Sequence, residues 1–301
     1  MNRKPRHWNW NTWLNRRPHK HTNNSTPREC RIGLALGGGF ARGIAHVGVL
    51  RVLERERVPL RAIAGVSAGT IVGAAFASGA TADEIGAVGC AMRLSDVASW
   101  GICRLGLAHS ERMATFLRRL LKKMRFEDMQ IPFGVVATDL RSGEPVRFHT
   151  EGDVAPAIRA SCSYPGLFRP VELDGRLLVD GAMSVEVPTL LARTLGATHV
   201  IAARIPNNNT DFQPHNMFDV VNRSFQIMMS HNERSWRQYS DAIIMPDVAS
   251  TAWDGFSNAK RMIQAGEEAA RAALPQIQDW LGTRRMVSLP PVLPGTLAET
   301  A

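Results

Sequence analysis

The residues best suited to chemistry form a serine-centred turn, Gly65-Val66-Ser67-Ala68-Gly69. A short apolar run over 62–66 predicts a strand that leads into Ser67, and small residues over 68–78 predict a helix that follows it. A sharp strand-to-helix turn exposes a serine hydroxyl for nucleophilic attack and needs small residues beside it. Free N–H groups at the start of the helix also favour negative charge near the serine. This context favours a nucleophile over a turn that serves only packing.

Three consecutive glycines, Gly37, Gly38 and Gly39, follow an apolar strand predicted over 32–36. Successive glycines let backbone N–H groups approach a ligand closely, as in an oxyanion hole, where one donor contributes on the order of 3 kcal/mol. No Lys-Ser or Lys-Thr follows the turn, so the phosphate loop of nucleoside triphosphatases does not fit. The spacing to Gly43 is also too long for the dinucleotide-binding fingerprint. An oxyanion hole is favoured, and a nucleotide site and simple helix packing are the alternatives.

A serine hydroxyl needs a neighbouring base, and Asp180 is the strongest candidate for it. An apolar run over 177–179 predicts a strand that delivers Asp180 to a turn, where Gly181 adds no bulk. An Asp-Gly pair alone is typical of a simple β-turn, but the apolar run and the two elements above favour the base. The later histidines have no distinguishing setting and are interpreted as surface or hydrogen-bonded side chains: His109, His149, His199, His215 and His231.

These residues fall at the ends of predicted strands that alternate with helices. Strand, turn and helix occur twice in succession over 32–57 and 62–78, which predicts a parallel sheet with crossover helices. Gly143 and Asp174-Gly175 mark two hairpins. Further strands are predicted over 133–138, 198–204 and 242–245, and further helices over 111–124, 217–240 and 257–281. The helix over 111–124 carries a basic face, which we interpret as solvated, with an anionic interface as the alternative: Arg112, Arg118, Arg119, Lys122 and Lys123.

Positive charge is concentrated at the N-terminus. Eight Lys and Arg residues and one acidic residue lie within 1–31, so seven of the nine net positive charges belong there, beside three tryptophans. We interpret residues 1–30 as a disordered tail. The alternatives are contact of residues 1–28 with an anionic membrane surface and contact with nucleic acid. The near-neutral remainder gives specific nucleic-acid binding little support.

The length of 301 residues fits one large α/β domain. Four cysteines without a CxxC pair are typical of reduced thiols in a cytosolic protein. No signal-peptide core and no apolar run long enough to cross a bilayer occurs. These features predict a cytoplasmic protein, with peripheral membrane association through the basic tail as an added option. No His, Cys and Asp cluster has ligand spacing, so no metal and no organic cofactor is expected.

Four segments, in order along the chain, resemble bacterial patatin-like phospholipases of the branch related to neuropathy target esterase. They are 36–43 (LGGGFARG), 65–69 (GVSAG), 159–168 (RASCSYPGLF) and 179–182 (VDGA). The resemblance implies a three-layer α/β/α fold with a mostly parallel central sheet and a Ser67–Asp180 catalytic dyad. It also implies an oxyanion loop over Gly37–Gly39. The remaining motif positions support the site: Arg42, Gly43, Gly65, Gly69, Gly181 and Ala182.

The resemblance covers roughly residues 31–281. It implies an acyl hydrolase domain over 31–283, with core motifs in 32–195, between the N-terminal tail of residues 1–30 and a C-terminal tail of residues 284–301. The implied substrate is a phospholipid or lysophospholipid, and thioesters or simple carboxylic esters stay open. Arg42 would either orient the glycine loop or meet a lipid phosphate. The rival functions are a non-catalytic lipid- or acyl-binding regulator and a nucleic-acid binder acting through the tail.

Overall fold

The computed structural model describes residues 29–206, 213–214, 216–231, 233–248, 251 and 256–282. The expected C-terminal tail and His215 lie outside these ranges, as does the expected N-terminal tail apart from its last two residues. The proposed membrane contact of residues 1–28 therefore falls outside the described residues. Within the described ranges, none of the helices combines the length and the apolar character needed to span a membrane.

Ten strands and ten α-helices make up the described fold. The strands are β1 (Ile32–Leu36), β2 (Leu60–Val66), β3 (Ser99–Cys103), β4 (Gly106–His109), β5 (Phe133–Asp139), β6 (Pro145–Phe148), β7 (Val171–Leu173), β8 (Arg176–Asp180), β9 (His199–Ala203) and β10 (Ala242–Ile244). The helices are α1 (Ala45–Arg55), α2 (Ala68–Ala77), α3 (Ala82–Ala91), α4 (Leu94–Val97), α5 (Glu111–Leu120), α6 (Val154–Ser161), α7 (Thr189–Thr194), α8 (Met217–Ser230), α9 (Glu233–Arg237) and α10 (Ala259–Gly282). Short 3₁₀ turns occur at Phe40–Ile44, Phe126–Asp128, Gly181–Met183 and Phe256–Asn258.

The central sheet has the strand order β10-β9-β1-β2-β5-β8-β7, and β6 also pairs with β5. Strands β10, β9, β1, β2 and β5 are parallel, as the repeated strand–helix pattern predicts. Strands β6 and β8 run antiparallel to β5, and β7 runs antiparallel to β8. Strands β3 and β4 form a separate two-stranded sheet. The predicted α/β class with a mostly parallel sheet is confirmed.

Helices cover both faces of this sheet because successive side chains of a strand point to opposite sides. Leu34 and Leu36 of β1 join the large apolar cluster that includes residues of α1, α2, α3 and α5. Ala35, between them, joins a second cluster with Leu191 of α7 and Trp236 of α9. Every residue of β1 is buried, as expected for a strand enclosed on both faces. The three-layer arrangement is therefore present.

Several predicted helices have different ends in the structure. The helix expected over 111–124 ends at Leu120, so Lys122 and Lys123 do not continue its basic face. The chain turns extended at Leu121, and the Lys122 N–H then donates to Ser78 Oγ on a neighbouring element, at 3.0 Å. The helix expected over 217–240 is divided into α8 and α9. The helix predicted within 32–57 begins at Ala45, after the 3₁₀ turn of Phe40–Ile44.

Candidate active site

Ser67 lies at the sharp turn between β2 and α2, as its motif predicts. Its backbone has φ 51° and ψ −126°, a region that residues with a side chain rarely adopt. The Ser67 N–H donates to Ser161 Oγ at 2.9 Å, and the Ser67 carbonyl accepts from Thr70 Oγ1 at 2.6 Å. These two bonds hold the Ser67 N–H and the Ser67 carbonyl in place, so neighbouring residues maintain the strained conformation of the turn.

Asp180, at the end of β8, meets the serine across the sheet. The Ser67 hydroxyl donates to Asp180 Oδ2 at 2.7 Å, and the other carboxylate oxygen accepts from the Ala182 N–H at 2.9 Å. The Asp180 side chain is buried, and this burial raises its pKa to about 6, while the two hydrogen bonds act in the opposite direction. A carboxylate with this pKa is ionised at neutral pH and is more basic than an exposed one.

The backbone around Asp180 is fixed by its neighbours in the sheet. The Asp180 N–H donates to the Ser163 carbonyl at 3.0 Å, and Thr138 Oγ1 donates to the Asp180 carbonyl at 2.9 Å. A Cβ on Gly181 would lie 2.1 Å from the Val136 carbonyl oxygen, so only glycine lets this turn lie against β5. The Asp-Gly pair is therefore part of a tightly packed strand end, and it is not a free surface turn.

The glycine loop lies beside the serine at the carboxyl end of β1. A Cβ built on Gly38 would be 3.4 Å from Ser67 Cβ, so Gly38 lies beside the serine with about the room of one methyl group between them. The Gly37 N–H donates to the Ala203 carbonyl at 2.9 Å, which anchors the start of the loop to β9. The carboxyl ends of parallel strands lie at the same edge of a sheet. The glycine loop follows β1 and Ser67 follows β2, so both lie at this edge.

The remaining motif residues surround this centre. Gly43 lies against Ala68 at the start of α2, and Gly65 is in β2. Gly69, in the first turn of α2, would place a Cβ 2.7 Å from the Gly37 carbonyl oxygen. Arg42 is buried in the 3₁₀ turn after the loop, and burial lowers the pKa of its guanidinium to about 10. The structure thus brings all the sequence-predicted site residues into one region.

Two cavities meet at Ser67 and differ in character. The first encloses about 840 Å³ of empty space, its mouth included, and is lined mainly by apolar side chains of α2, α3 and α5. Representative lining residues are Ile71, Val72, Ile85, Val88, Met113 and Phe116. The second encloses about 670 Å³, its mouth included, and is lined by the glycine loop and polar side chains. Those side chains are Arg42, Tyr164, Asp180, Glu186, Arg204, Asn222 and Gln226.

An ion pair in the second cavity is absent from the sequence-based prediction. Arg204 Nε donates to Glu186 Oε1 at 2.7 Å, and Trp236 Nε1 donates to Glu186 Oε2 at 2.9 Å. Both ion-pair side chains are largely buried. Arg204 directly follows β9 at the same sheet edge as Ser67, so its position at the end of a predicted strand is the signal that could have found it. Glu186 carries no comparable signal.

The described histidines that the sequence analysis did not favour as the base lie away from Ser67. His109, His149, His199 and His231 are the described histidines after Ser67, and none of them lines either cavity. His109 forms a 3.9 Å contact with Glu111, and His199 packs against Trp280. One other histidine, His46, does approach the glycine loop. It precedes Ser67 in the chain, and the sequence analysis considered only the histidines that follow Ser67. Its ring contacts the Gly37 carbonyl oxygen at 2.9 Å.

Comparison with known proteins identifies the same region. A family model described as patatin-like phospholipase matches residues 34–193. An uncharacterised NTE family protein of Mycobacterium bovis is 32% identical over 212 residues, which cover 64% of this chain and 55% of that protein. Patatin-like phospholipase domain-containing protein 7 of Rattus norvegicus is 33% identical over 180 residues, which cover 57% of this chain and 13% of that protein.

More distant comparisons extend the match to the fold. Lysophospholipase NTE1 of Mycosarcoma maydis is 28% identical over 225 residues, which cover 72% of this chain and 12% of that protein. The crystal structure of VipD from Legionella pneumophila superimposes with a TM-score of 0.50 at 14% identity, over 84% of this chain and 68% of that one. This last likeness concerns the fold alone. The chain spans about half the length of the mycobacterial relatives that it matches.

Proposed function

The chain belongs to the patatin-like phospholipase family, and from this premise we propose that it hydrolyses lipid esters through a Ser67–Asp180 dyad. The observation that carries the proposal is the 2.7 Å hydrogen bond from Ser67 Oγ to Asp180 Oδ2 in a buried site. A carboxylate within hydrogen-bond reach of a serine hydroxyl has the geometry of a general base. The strained turn that presents Ser67 supports the same role.

The reaction proceeds in two steps. Asp180 takes the Ser67 proton while Oγ attacks the ester carbonyl, and the Gly37–Gly39 loop offers N–H groups to the oxyanion. When the ester C–O bond breaks, the leaving alcohol takes the proton from Asp180, and the acyl group stays on Ser67. Water then attacks this acyl-enzyme with Asp180 again as base, which releases the carboxylic acid and restores the serine.

The apolar cavity supports an acyl chain as the group transferred to Ser67. Much of its lining comes from helices α2, α3 and α5, and Ser67 is among the lining residues. Methylene groups gain free energy on leaving water, about 0.8 kcal/mol each, so a fatty acyl chain fits this environment.

The polar cavity supports a polar leaving group on the other side of Ser67. Arg42 and the Arg204–Glu186 ion pair both line it, together with the polar side chains of Tyr164, Asn222 and Gln226. A guanidinium group can bind a phosphate, so this lining supports a phosphate-containing headgroup. We therefore propose a phospholipid or lysophospholipid substrate, with residues 31–283 as the hydrolase domain and with peripheral membrane contact through residues 1–28.

The test compares the wild-type chain with Ser67→Ala on a p-nitrophenyl ester series and on a lysophospholipid. We expect hydrolysis by the wild type and its loss in the variant, and we expect a fluorophosphonate to label Ser67 alone. Equal hydrolysis by both proteins would refute the assigned nucleophile. Tight binding of lipid with neither labelling nor turnover would instead identify a regulatory lipid-binding protein.

A further inference from the structure

His46 is a buried histidine that the proposed reaction leaves without a role. It is the second residue of α1 and is completely enclosed. Its Nε2 atom lies 2.9 Å from the Gly37 carbonyl oxygen, and because a carbonyl can only accept, Nε2 carries the proton. Nδ1 has no hydrogen-bond partner within the described part of the chain. Burial also lowers the pKa of His46 to about 4, so the ring is neutral under ordinary conditions.

The Gly37 carbonyl shares one planar peptide unit with the Gly38 N–H. In a trans peptide these two groups point in opposite directions, and the described chain has no cis peptide bond. The carbonyl faces His46, so the Gly38 N–H faces away from it. Gly38 is also the loop residue that approaches Ser67 Cβ. No backbone hydrogen bond within the described residues uses the Gly38 N–H.

A run of three glycines needs external contacts to hold one conformation, because glycine backbones rotate freely. The Gly37 N–H is held by the Ala203 carbonyl, and the Gly37 carbonyl is held by His46. Rotation of the Gly37–Gly38 peptide would break the second bond and turn the Gly38 N–H away from its present direction. His46 does not line either cavity, so it has no access to the Ser67 hydroxyl as a base.

We propose that His46 is a positioning residue that aims the Gly38 N–H at the oxyanion formed on the Ser67 ester. By donating Nε2–H to the Gly37 carbonyl, it fixes the peptide whose opposite end is the oxyanion donor. The inference rests on the proposed function, since an oxyanion forms only if Ser67 attacks an ester. Its role is indirect, because the imidazole touches neither the substrate nor the reacting atoms.

The test uses three replacements of His46 and a tetrahedral mimic. His46→Gln retains a side-chain N–H near the Nε2 position, His46→Leu removes the donor at similar volume, and His46→Asn is too short to reach. We expect kcat of His46→Leu to fall about tenfold to a hundredfold at an unchanged KM, because a misaimed oxyanion donor loses transition-state stabilisation. A trifluoromethyl ketone, which forms an oxyanion on the serine, should lose affinity by the same factor. His46→Gln should stay within about threefold of the wild type.

The outcomes separate the inference from the proposed function. Wild-type kcat in a folded His46→Leu protein overturns the inference, as do equal losses in the Gln and Leu variants with unchanged inhibitor affinity. If the Leu variant does not fold, the Gln and Asn variants carry the comparison, and equal kcat in these two overturns it. Retained hydrolysis in Ser67→Ala, measured in parallel, would overturn the proposed function itself.

Discussion

Asp180 is subject to two opposing effects, since burial favours its neutral form and two donated hydrogen bonds favour its ionised form. Burial is the larger effect, and the pKa rises to about 6. This is high enough to strengthen the base and low enough to keep it ionised at neutral pH. In the proposed reaction, burial would therefore make Asp180 a stronger base toward Ser67 than an exposed carboxylate.

The first consequence concerns the pH dependence of catalysis. Because Asp180 accepts a proton only when ionised, we expect kcat/KM to fall as the pH is lowered through about 6. A profile of kcat/KM between about pH 4.5 and 9 on a chromogenic ester measures it. A main inflection near the pKa of an exposed carboxyl group, about 4, would show that the base is not desolvated in solution.

Asp180→Asn is expected to separate activity from stability. Loss of the base should lower kcat by about a hundredfold to ten-thousandfold. The folded-state pKa lies above the ordinary value of 3.8, so the contribution of Asp180 to stability is greatest below about pH 4 and is lost as the pH rises through about 6. The variant lacks this titration. It should therefore be more stable than the wild type at about pH 8, by up to roughly 3 kcal/mol.

Urea unfolding of both proteins at about pH 4 and 8 measures this difference. We expect the gap between them to widen as the pH increases, because only the wild type buries a charged carboxylate at the higher pH. Asp139→Asn is a matched control, since Asp139 lies at the end of β5 and lines neither cavity. An equal shift in the control would assign the effect to the sheet edge rather than to the buried carboxyl group.

Sequence reasoning found the candidate site residues that belong to contiguous motifs. Ser67 and Gly37–Gly39 are recognisable because a strained turn and a backbone cradle both require particular neighbours. His46 contacts the Gly37 carbonyl nine residues away, and Glu186 accepts from Arg204 and Trp236, and none of these contacts leaves a pattern in the neighbouring residues. The contacts of Glu186 also depend on which elements are adjacent, and that information exists only in the folded chain.

At the level of elements, the strands were more predictable than the helices. Strands β1, β2 and β5 are short apolar runs enclosed on both faces, so their composition alone identifies them. Helix α3 was not predicted, because its small residues have weak periodicity, and it depends on a capping box between Thr81 and Glu84. The wall of the apolar cavity was therefore incomplete in the sequence-based prediction.

Helix α2 offers the most direct way to change the shape of that cavity. Val72 is almost fully buried and lines the cavity, so Val72→Phe should fill part of the space available to an acyl chain. We expect the ratio of kcat/KM for long over short p-nitrophenyl esters to fall by about tenfold or more. Val220→Phe, on the exposed face of α8 and outside both cavities, is the matched control. An unchanged chain-length profile in Val72→Phe would place the acyl chain elsewhere.

On the scale of the whole molecule, we propose that the sheet edge that carries Ser67 and the charged N-terminal residues act separately. The described fold is anchored just before its first strand, where the Arg31 N–H donates to Thr198 Oγ1 at 2.8 Å. We expect a chain lacking residues 1–28 to hydrolyse a monomeric ester at the wild-type rate and to bind anionic vesicles more weakly. Sedimentation with vesicles and a parallel ester assay measure the two effects. Unchanged vesicle binding would assign membrane contact to another surface.

The backbone of Ser67 carries a further consequence, for natural variation. A left-handed conformation costs a residue with a side chain about 1–2 kcal/mol more than it costs glycine, so Ser67→Gly should unfold at a higher denaturant concentration than Ser67→Ala. A change that relaxes the fold at this position is thus one that removes the proposed nucleophile. In a lineage released from selection for hydrolysis, selection for stability alone would favour glycine at this position. A homologue that keeps the fold but has glycine at this position would therefore have lost hydrolysis and gained stability.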